Sequence, residues 1–205
     1  MRFLYLALLC CTCICSIAQS SKVVHAPVKK PTAWLVEKTS HLVIRGKANI
    51  GSISCDNPSY KRIDTVWMDQ TADGDSIGLL GKIQVAMLDF SCHNYFFTSN
   101  LRKTLQVDQY PYMTVRFVKI DRLPAFQTGA VSKVYGTVEI SLAGVSRYFT
   151  LPIEVSAMGP GKTKLQGWRI FRLEDFSLKS PGKIPLVKVR NEFKVEFELH
   201  MSRLN

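Results

Sequence analysis

The end of the chain alternates strictly between apolar and polar side chains. From Phe193 to Ser202, every second residue is apolar and its neighbours are polar. Successive side chains of a strand point to opposite faces, so this segment would form a strand with one apolar and one polar face. The same period of two recurs at residues 42–47, 82–87, 113–118, 134–142 and 149–157. The pattern is typical of an antiparallel sheet that is buried on one side and solvated on the other.

These segments constrain the fold class. Residues 63–67 and 165–173 also have strand composition, which gives about eight or nine strands joined mostly by short turns. Two packed sheets or a closed antiparallel barrel would satisfy them equally well. The chain has 205 residues, 46% of them hydrophobic, and contains neither an internal repeat nor a proline-rich linker. We therefore predict one all-β domain.

The segment from Phe97 to Leu105 breaks the period of two. Thr98 is of a residue type that caps helices, and Leu101 and Leu105 lie four residues apart, on one face of a helix. Pro111 follows and would stop the helix. The sequence therefore predicts one short helix between strands.

The first residues resemble a signal peptide. Arg2 supplies a positive charge, residues 3–17 are apolar or nearly so, and the next charge is Lys22. Ser16 and Ala18 are small residues that fit cleavage after position 18, and a run of about fifteen apolar residues is short for a membrane span. We expect the mature protein in the periplasm or outside the cell. The expected division is a signal peptide at 1–18, a mobile N-terminal arm at 19–33 and the barrel domain at 34–205.

Cleavage would remove four of the six cysteines and leave Cys55 and Cys92. Disulfides persist in exported proteins, and a single intrachain pair would stabilise the fold by about 3–4 kcal/mol if it formed without strain. The alternative is a metal site, because His93 follows Cys92 and His41 lies upstream, and thiolate and imidazole suit zinc or copper. No paired ligand spacing supports the metal site, so the sequence favours a disulfide and predicts no metal.

The net charge of +11 arises from basic residues spread along the whole chain. Nucleic-acid binding needs such residues gathered on one face or helix, so we expect no nucleic-acid partner. The charge indicates a solvated outer surface, with contact to an anionic membrane surface as a possible addition. A homodimer is suspected only because dimers are common.

Enzyme motifs are absent from the sequence. There is no nucleophile elbow, no zinc-protease helix motif, no phosphate-binding loop and no dinucleotide fingerprint. Glu174 and Asp175 are adjacent, and adjacent strand residues point to opposite faces, so they make a poor acid–base pair. The four histidines are scattered. We therefore predict neither catalytic residues nor a cofactor. Apolar residues inside the barrel would either pack as core or line a cavity, and alternation alone does not separate the two.

The motif Tyr110-Pro111-x-Met113-x-Val115-x-Phe117 resembles the Tyr-Pro-x-Ile-x-Phe-x-Phe core of the YceI-like family. Further segments similar to that family, in its order and spacing, are residues 88–90, 100–105, 134–145 and 173–178. The resemblance extends over residues 34–204. It implies a lipocalin-like, extended antiparallel barrel with an apolar tunnel that holds a polyisoprenoid or similar long-chain lipid.

A subgroup of exported bacterial members carries two cysteines. One follows a glycine-containing strand and the other follows a Leu-Asp-Phe segment; here Gly46 precedes Cys55, and Leu88-Asp89-Phe90 precedes Cys92. The resemblance therefore implies that Cys55 and Cys92 form a disulfide.

The resemblance also implies a non-enzymatic carrier, whose ligand would touch the inward side chains. Chosen by strand phase, the expected tunnel-lining residues are Val85, Met87, Met113, Val115, Phe117, Val138, Ile140, Leu151, Ile153, Val155, Val195, Phe197 and Leu199. The alternative function is a filled barrel that contacts a membrane surface or an acidic partner. Large Phe and Met residues in the inward phase favour the filled barrel, whereas the small residues Gly136 and Ala157 favour a tunnel.

Overall fold

A computed structural model describes residues 30–70, 76–179 and 189–204. Its strands are β1 (Thr32–Val36), β2 (His41–Ala48), β3 (Gly51–Asn57), β4 (Thr65–Gln70), β5 (Ile77–Leu80), β6 (Lys82–Ala86), β7 (Tyr112–Ile120), β8 (Val131–Leu142), β9 (Val145–Gly159), β10 (Lys162–Arg172) and β11 (Val189–Arg203). One α-helix, α1, spans Tyr95–Thr104, and two 3₁₀ helices span Met87–Asp89 and Leu173–Phe176. The expected signal peptide and most of the expected arm lie outside the described residues. β1 begins at Thr32, two residues before the expected start of the domain.

The strands close into an antiparallel barrel. Eight of them form the ring in the order β1, β4, β5, β7, β8, β9, β10 and β11, and β11 pairs again with β1. The last residues of β11 pair with β1, from Met201 to Arg203, while its earlier residues pair with β2. The β2–β3 hairpin therefore extends the wall beyond the closed ring. This arrangement confirms the predicted all-β fold, an extended antiparallel barrel with one short helix between strands.

More strands are present than the sequence indicated, because β1, β3 and β5 lie in segments for which no strand was predicted. β5 and β6 both pair with β7 and are separated by Gly81, whose φ is +137°. A Cβ added at Gly81 would lie 2.5 Å from the carbonyl oxygen of Thr65. Only glycine fits this close approach, so the segment bends here instead of running as one strand.

The helix starts earlier than predicted. Asn94, and not Thr98, is its N-cap: the Oδ1 atom of Asn94 accepts hydrogen bonds from the backbone N–H groups of Phe96 at 2.9 Å and Phe97 at 3.3 Å. Asparagine caps helices as well as threonine does, so the aromatic residues after it join the first turn. The Thr98 hydroxyl instead accepts from the Cys92 N–H at 3.0 Å and so ties the helix to the segment before it. Among the described residues, no helix is long and apolar enough to cross a membrane.

Candidate functional site

The described residues line, among others, three cavities of about 120, 80 and 60 Å³. Residues shared by the walls of the first and second cavities are Leu42, Met113, Leu142, Phe193 and Val195. Those shared by the second and third are Phe117, Ile153 and Leu165. The cavities therefore follow one another along the barrel, from the end covered by α1 to the end where Trp34 stacks on Phe126.

The first cavity lies between α1, the β2–β3 hairpin and the start of β11. Phe97 and Leu101, four residues apart on one face of α1, face Ile44 and Ile53 of the hairpin across it. Its polar lining residues are Asn100, Thr104, Arg190 and Glu192. The two from α1 satisfy their own helix, because the Asn100 amide and the Thr104 hydroxyl donate to helix carbonyls at 2.8 Å. The polar lining residues thus come from α1 and the start of β11, and the rest of the lining is apolar.

Beside this cavity, a disulfide links β3 to the segment just before α1. Cys55 in β3 is joined to Cys92, which lies just before α1. Next to it, Asp56 and Ser91 exchange two backbone hydrogen bonds, of 2.9 and 3.0 Å. The predicted disulfide is confirmed, and its sulfur atoms are not thiolates that could bind the alternative metal. In the described ranges, no group of three or more His, Cys, Asp or Glu side chains could hold a metal ion.

The second cavity is lined mainly by the inward side chains of β7–β11, together with Leu42 of β2, Ile83 of β6 and Phe176. Its lining is apolar apart from Arg169, the one ionisable side chain among the described residues that line it. The third cavity is lined by apolar residues and by Thr163, whose hydroxyl donates to the Ser156 carbonyl at 3.1 Å. The second and third cavities therefore present apolar surface and one charged side chain, that of Arg169.

Twelve of the thirteen residues expected to line a tunnel line one of the cavities. Val85 does not: it is 1% exposed and belongs to the packed core. Met87 lines the first cavity from the 3₁₀ helix rather than from a strand, and Val155 lines the third. That these residues contact a ligand stays a prediction.

The prediction from strand phase did not find all of the residues that line the cavities. The contributions of α1 and of Ile53 in β3 could have been found only by knowing which elements meet at the barrel end, whereas Leu42, Ile44 and Gly46 share one phase of β2 and could have been found from the alternation. Leu165 and Phe171 could have been found, because they share the inward phase of β10. Arg169 has that phase too, but a charged residue is not expected on the inner face of a barrel.

Two carboxylates of β11 whose pKa values are shifted lie on the outer face. Hydrogen bonds from Lys194 and Arg45 lower the pKa of Glu196, and a hydrogen bond with His200 lowers that of Glu198. His200 is therefore bonded to Glu198, at 2.8 Å, rather than freely exposed on the outer face. These groups belong to surface ion pairs on β11, so their charges stabilise the outside of the barrel and do not act in the cavities.

Comparisons with known proteins agree with this architecture. The polyisoprenoid binding domain from Saccharophagus degradans has a TM-score of 0.64 and 11% identity, and the match covers 84% of this chain and 99% of that one. BcnA of Burkholderia cenocepacia has a TM-score of 0.56 and 14% identity, with 78% and 95% covered. A variant of the Campylobacter jejuni YceI protein has a TM-score of 0.50 and 15% identity, with 68% and 80% covered. At these identities the likeness shows the fold alone.

No curated protein matches the chain. The family model of the YceI-like domain, in contrast, matches residues 30–201, which include all eleven strands but for the last two residues of β11. On the strength of this match, the chain belongs to the YceI-like family.

Proposed function

We propose that the protein binds a long-chain apolar lipid of the polyisoprenoid class in its row of cavities and carries it without chemical change. The observation that carries the proposal is the continuous apolar lining shared between neighbouring cavities. The Saccharophagus degradans neighbour, which is described as a polyisoprenoid binding domain, adds support.

Burial of hydrocarbon supplies the binding free energy. Each CH₂ group moved from water to an apolar site contributes about 0.8 kcal/mol, so a few isoprene units suffice for tight binding. Hydrophobic contact is not directional, and such a site selects ligands by length and shape. Phe117, Ile153 and Leu165 line both the second and the third cavity. The length of the bound lipid would be limited at these residues.

We also propose that the mature protein works outside the cytoplasm. The Cys55–Cys92 disulfide supports this, because disulfides persist in oxidising compartments. The signal-peptide pattern of the first eighteen residues agrees with it. Cell fractionation together with the intact mass of the mature chain tests the proposal. Export predicts a chain that begins at Gln19 and is found in the periplasm or the medium, and a full-length chain in the cytoplasm would contradict it.

A carrier must exchange its lipid with a membrane, and we propose that the end covered by α1 makes the contact. Large side chains are exposed there: Tyr95 is 89% exposed, Leu88 53% and Phe96 45%. Lys103 lies on the same helix, and the chain carries a net charge of +11, which favours an anionic surface. Aromatic side chains prefer the membrane–water interface.

Native mass spectrometry of the protein purified from its own host, with organic extraction of anything bound, tests lipid binding directly. We expect a long-chain lipid in stoichiometric amount. An apo mass that stays unchanged after incubation with polyprenyl phosphates and quinones would contradict the proposal. The barrel would then be better described as a filled interaction domain.

A further inference from the structure

The wall of the barrel has a seam between β9 and β10. The two strands pair from Gly159 opposite Lys162 to Ile153 opposite Gly167, and there the pairing stops. Beyond that point, β9 continues to pair with β8 and β10 with β11. The two strands are therefore not joined by backbone hydrogen bonds between residues 145–152 of β9 and 168–172 of β10. Side chains fill this part of the wall.

Arg169 lies in this seam and faces inward. It shares the phase of Leu165 and Phe171 on β10 and lines the second cavity. Its Nη1 atom donates to the Thr150 carbonyl of β9 at 3.0 Å. Its guanidinium carbon is 4.8 Å from the ring centroid of Phe149 and 5.8 Å from that of Phe171. Two aromatic rings and one carbonyl thus hold the side chain in place.

The hydrogen bonding of Arg169 is incomplete. Its Nε atom is buried and donates to no acceptor, and the guanidinium forms no ion pair with any residue in the described ranges. Two outward-facing arginines differ: Arg45 and Arg116 each donate to a carboxylate, at 2.8 and 2.7 Å, whereas the Nε atom of Arg102 on α1 also lacks an acceptor. A buried donor without an acceptor lowers stability, and this cost applies to the Nε atom of Arg169. The planar guanidinium fits a carboxylate or a phosphate better than any other group.

We propose that Arg169 binds the anionic headgroup of the lipid, a phosphate or a carboxylate, while the chain of the same lipid occupies the cavities. This inference rests on the proposed function and names the ligand class. Arg169 is only partly buried, so a headgroup in the seam keeps contact with solvent while its chain lies inside. The ligand is then an anionic amphiphile and not a neutral hydrocarbon or alcohol.

Matched lipid pairs test the inference. The affinities of farnesyl phosphate and farnesol are measured at pH 7, with palmitate and hexadecanol as a second pair that separates phosphate from carboxylate recognition. We expect the wild-type protein to prefer the anion by about ten- to a hundredfold, the value of a charge-assisted hydrogen bond. Arg169→Met should abolish this preference and leave farnesol binding nearly unchanged. The matched control is Arg116→Met, which removes an outward arginine that stacks on Tyr148 and bonds Glu139, and it should keep the preference.

The possible outcomes separate this inference from the proposed function. Equal affinity of the wild-type protein for anion and alcohol, or an anion preference that survives Arg169→Met, would overturn the role of Arg169 and leave lipid binding intact. Failure of the wild-type protein to bind any of the four lipids would contradict the proposed function itself. If Arg169→Met does not fold, Arg169→Gln carries the test. Glutamine keeps hydrogen-bond donors and loses the charge, so an unchanged anion preference in that variant would also overturn the inference.

Discussion

Cys92 lies two residues before Asn94, the N-cap of α1, and is bonded through its sulfur atom to Cys55 in β3. The disulfide thereby fixes the start of the helix to the hairpin that faces it across the first cavity. Phe97 and Leu101 of the helix line this cavity together with Ile44 and Ile53 of the hairpin.

Replacement of both cysteines by alanine should destabilise the protein. The sequence separation of the pair is 37 residues, and loop closure of that size corresponds to about 4 kcal/mol of lost stability. Urea unfolding with and without dithiothreitol measures the effect. The reductant should lower the midpoint of the wild-type protein and leave that of the double variant unchanged. A reductant effect of equal size in both would contradict the assignment.

Gly144 offers a test of the turn between β8 and β9. Ala143 and Gly144 have φ values of +49° and +78°, as a two-residue hairpin turn requires. A Cβ at Gly144 would also lie 2.8 Å from the Tyr110 ring. Left-handed backbone strain alone costs about 1–2 kcal/mol. Because the added Cβ would also clash with Tyr110, Gly144→Ala should destabilise the protein by more than this.

Gly129→Ala is the matched control for that variant. Gly129 also has a positive φ, of +83°, but an added Cβ would meet nothing within 4 Å. The difference between the two variants in thermal or urea unfolding isolates the clash with Tyr110. Equal destabilisation of the two would show that Tyr110 moves aside without cost.

The sequence predicted the fold better than it predicted the site. Strand phase sufficed for β8, β9 and β11, because a one-residue slip would turn every apolar side chain to solvent. Phase does not reveal where a strand ends, so Met87 was assigned to a strand that stops at Ala86. Nor does phase separate cavity from core, which is why Val85 was grouped with the cavity residues. Arg169 was missed together with the apolar inward residues of β10, and its charge conflicts with its inward position, a kind of local conflict that is expected at functional sites.

The ion pairs on the outer face of β11 make stability depend on pH. Hydrogen bonds from Lys194 and Arg45 lower the pKa of Glu196 below its ordinary value of 4.5. Because the carboxyl binds its proton more weakly in the folded state, acidification favours the unfolded chain. The contribution is complete above pH 4.5 and is lost as pH falls through the lowered pKa of the folded state.

Glu196→Gln tests this dependence. At pH 7 the variant should be less stable than the wild-type protein, and the difference should shrink as the pH falls through the lowered pKa of Glu196, where the wild-type carboxyl also becomes neutral. Urea unfolding across this range measures it, and added salt should weaken the effect because the pair is partly exposed. A difference that stays constant from pH 7 to pH 3 would show that Glu196 acts through packing and not through its charge.

Tyr95 and Phe96 should govern contact with membranes. We expect the double variant Tyr95→Ser/Phe96→Ser to lose most of its binding to vesicles that contain anionic lipid, measured by co-sedimentation. The control is Tyr135→Ser, at a position that is 56% exposed on the outer face of β8. Lipid exchange with vesicles should slow in the double variant and stay normal in the control. Equal vesicle binding by all three proteins would contradict the proposed contact.

Met113 offers the sharpest test of continuity between the cavities. It lines both the first and the second cavity, so a larger side chain there would obstruct a ligand that extends through both. We expect Met113→Trp to weaken binding of long polyprenyl chains strongly and that of farnesol much less, because a short chain still fits on one side. Met158→Trp makes the same substitution at a position that is 58% exposed and should bind all chains normally. Thermal unfolding shows whether Met113→Trp keeps the fold, since an enlarged core residue costs about 1–3 kcal/mol. If a folded Met113→Trp protein binds long and short chains as the wild-type protein does, the ligand does not pass between the two cavities, and the row is not a tunnel.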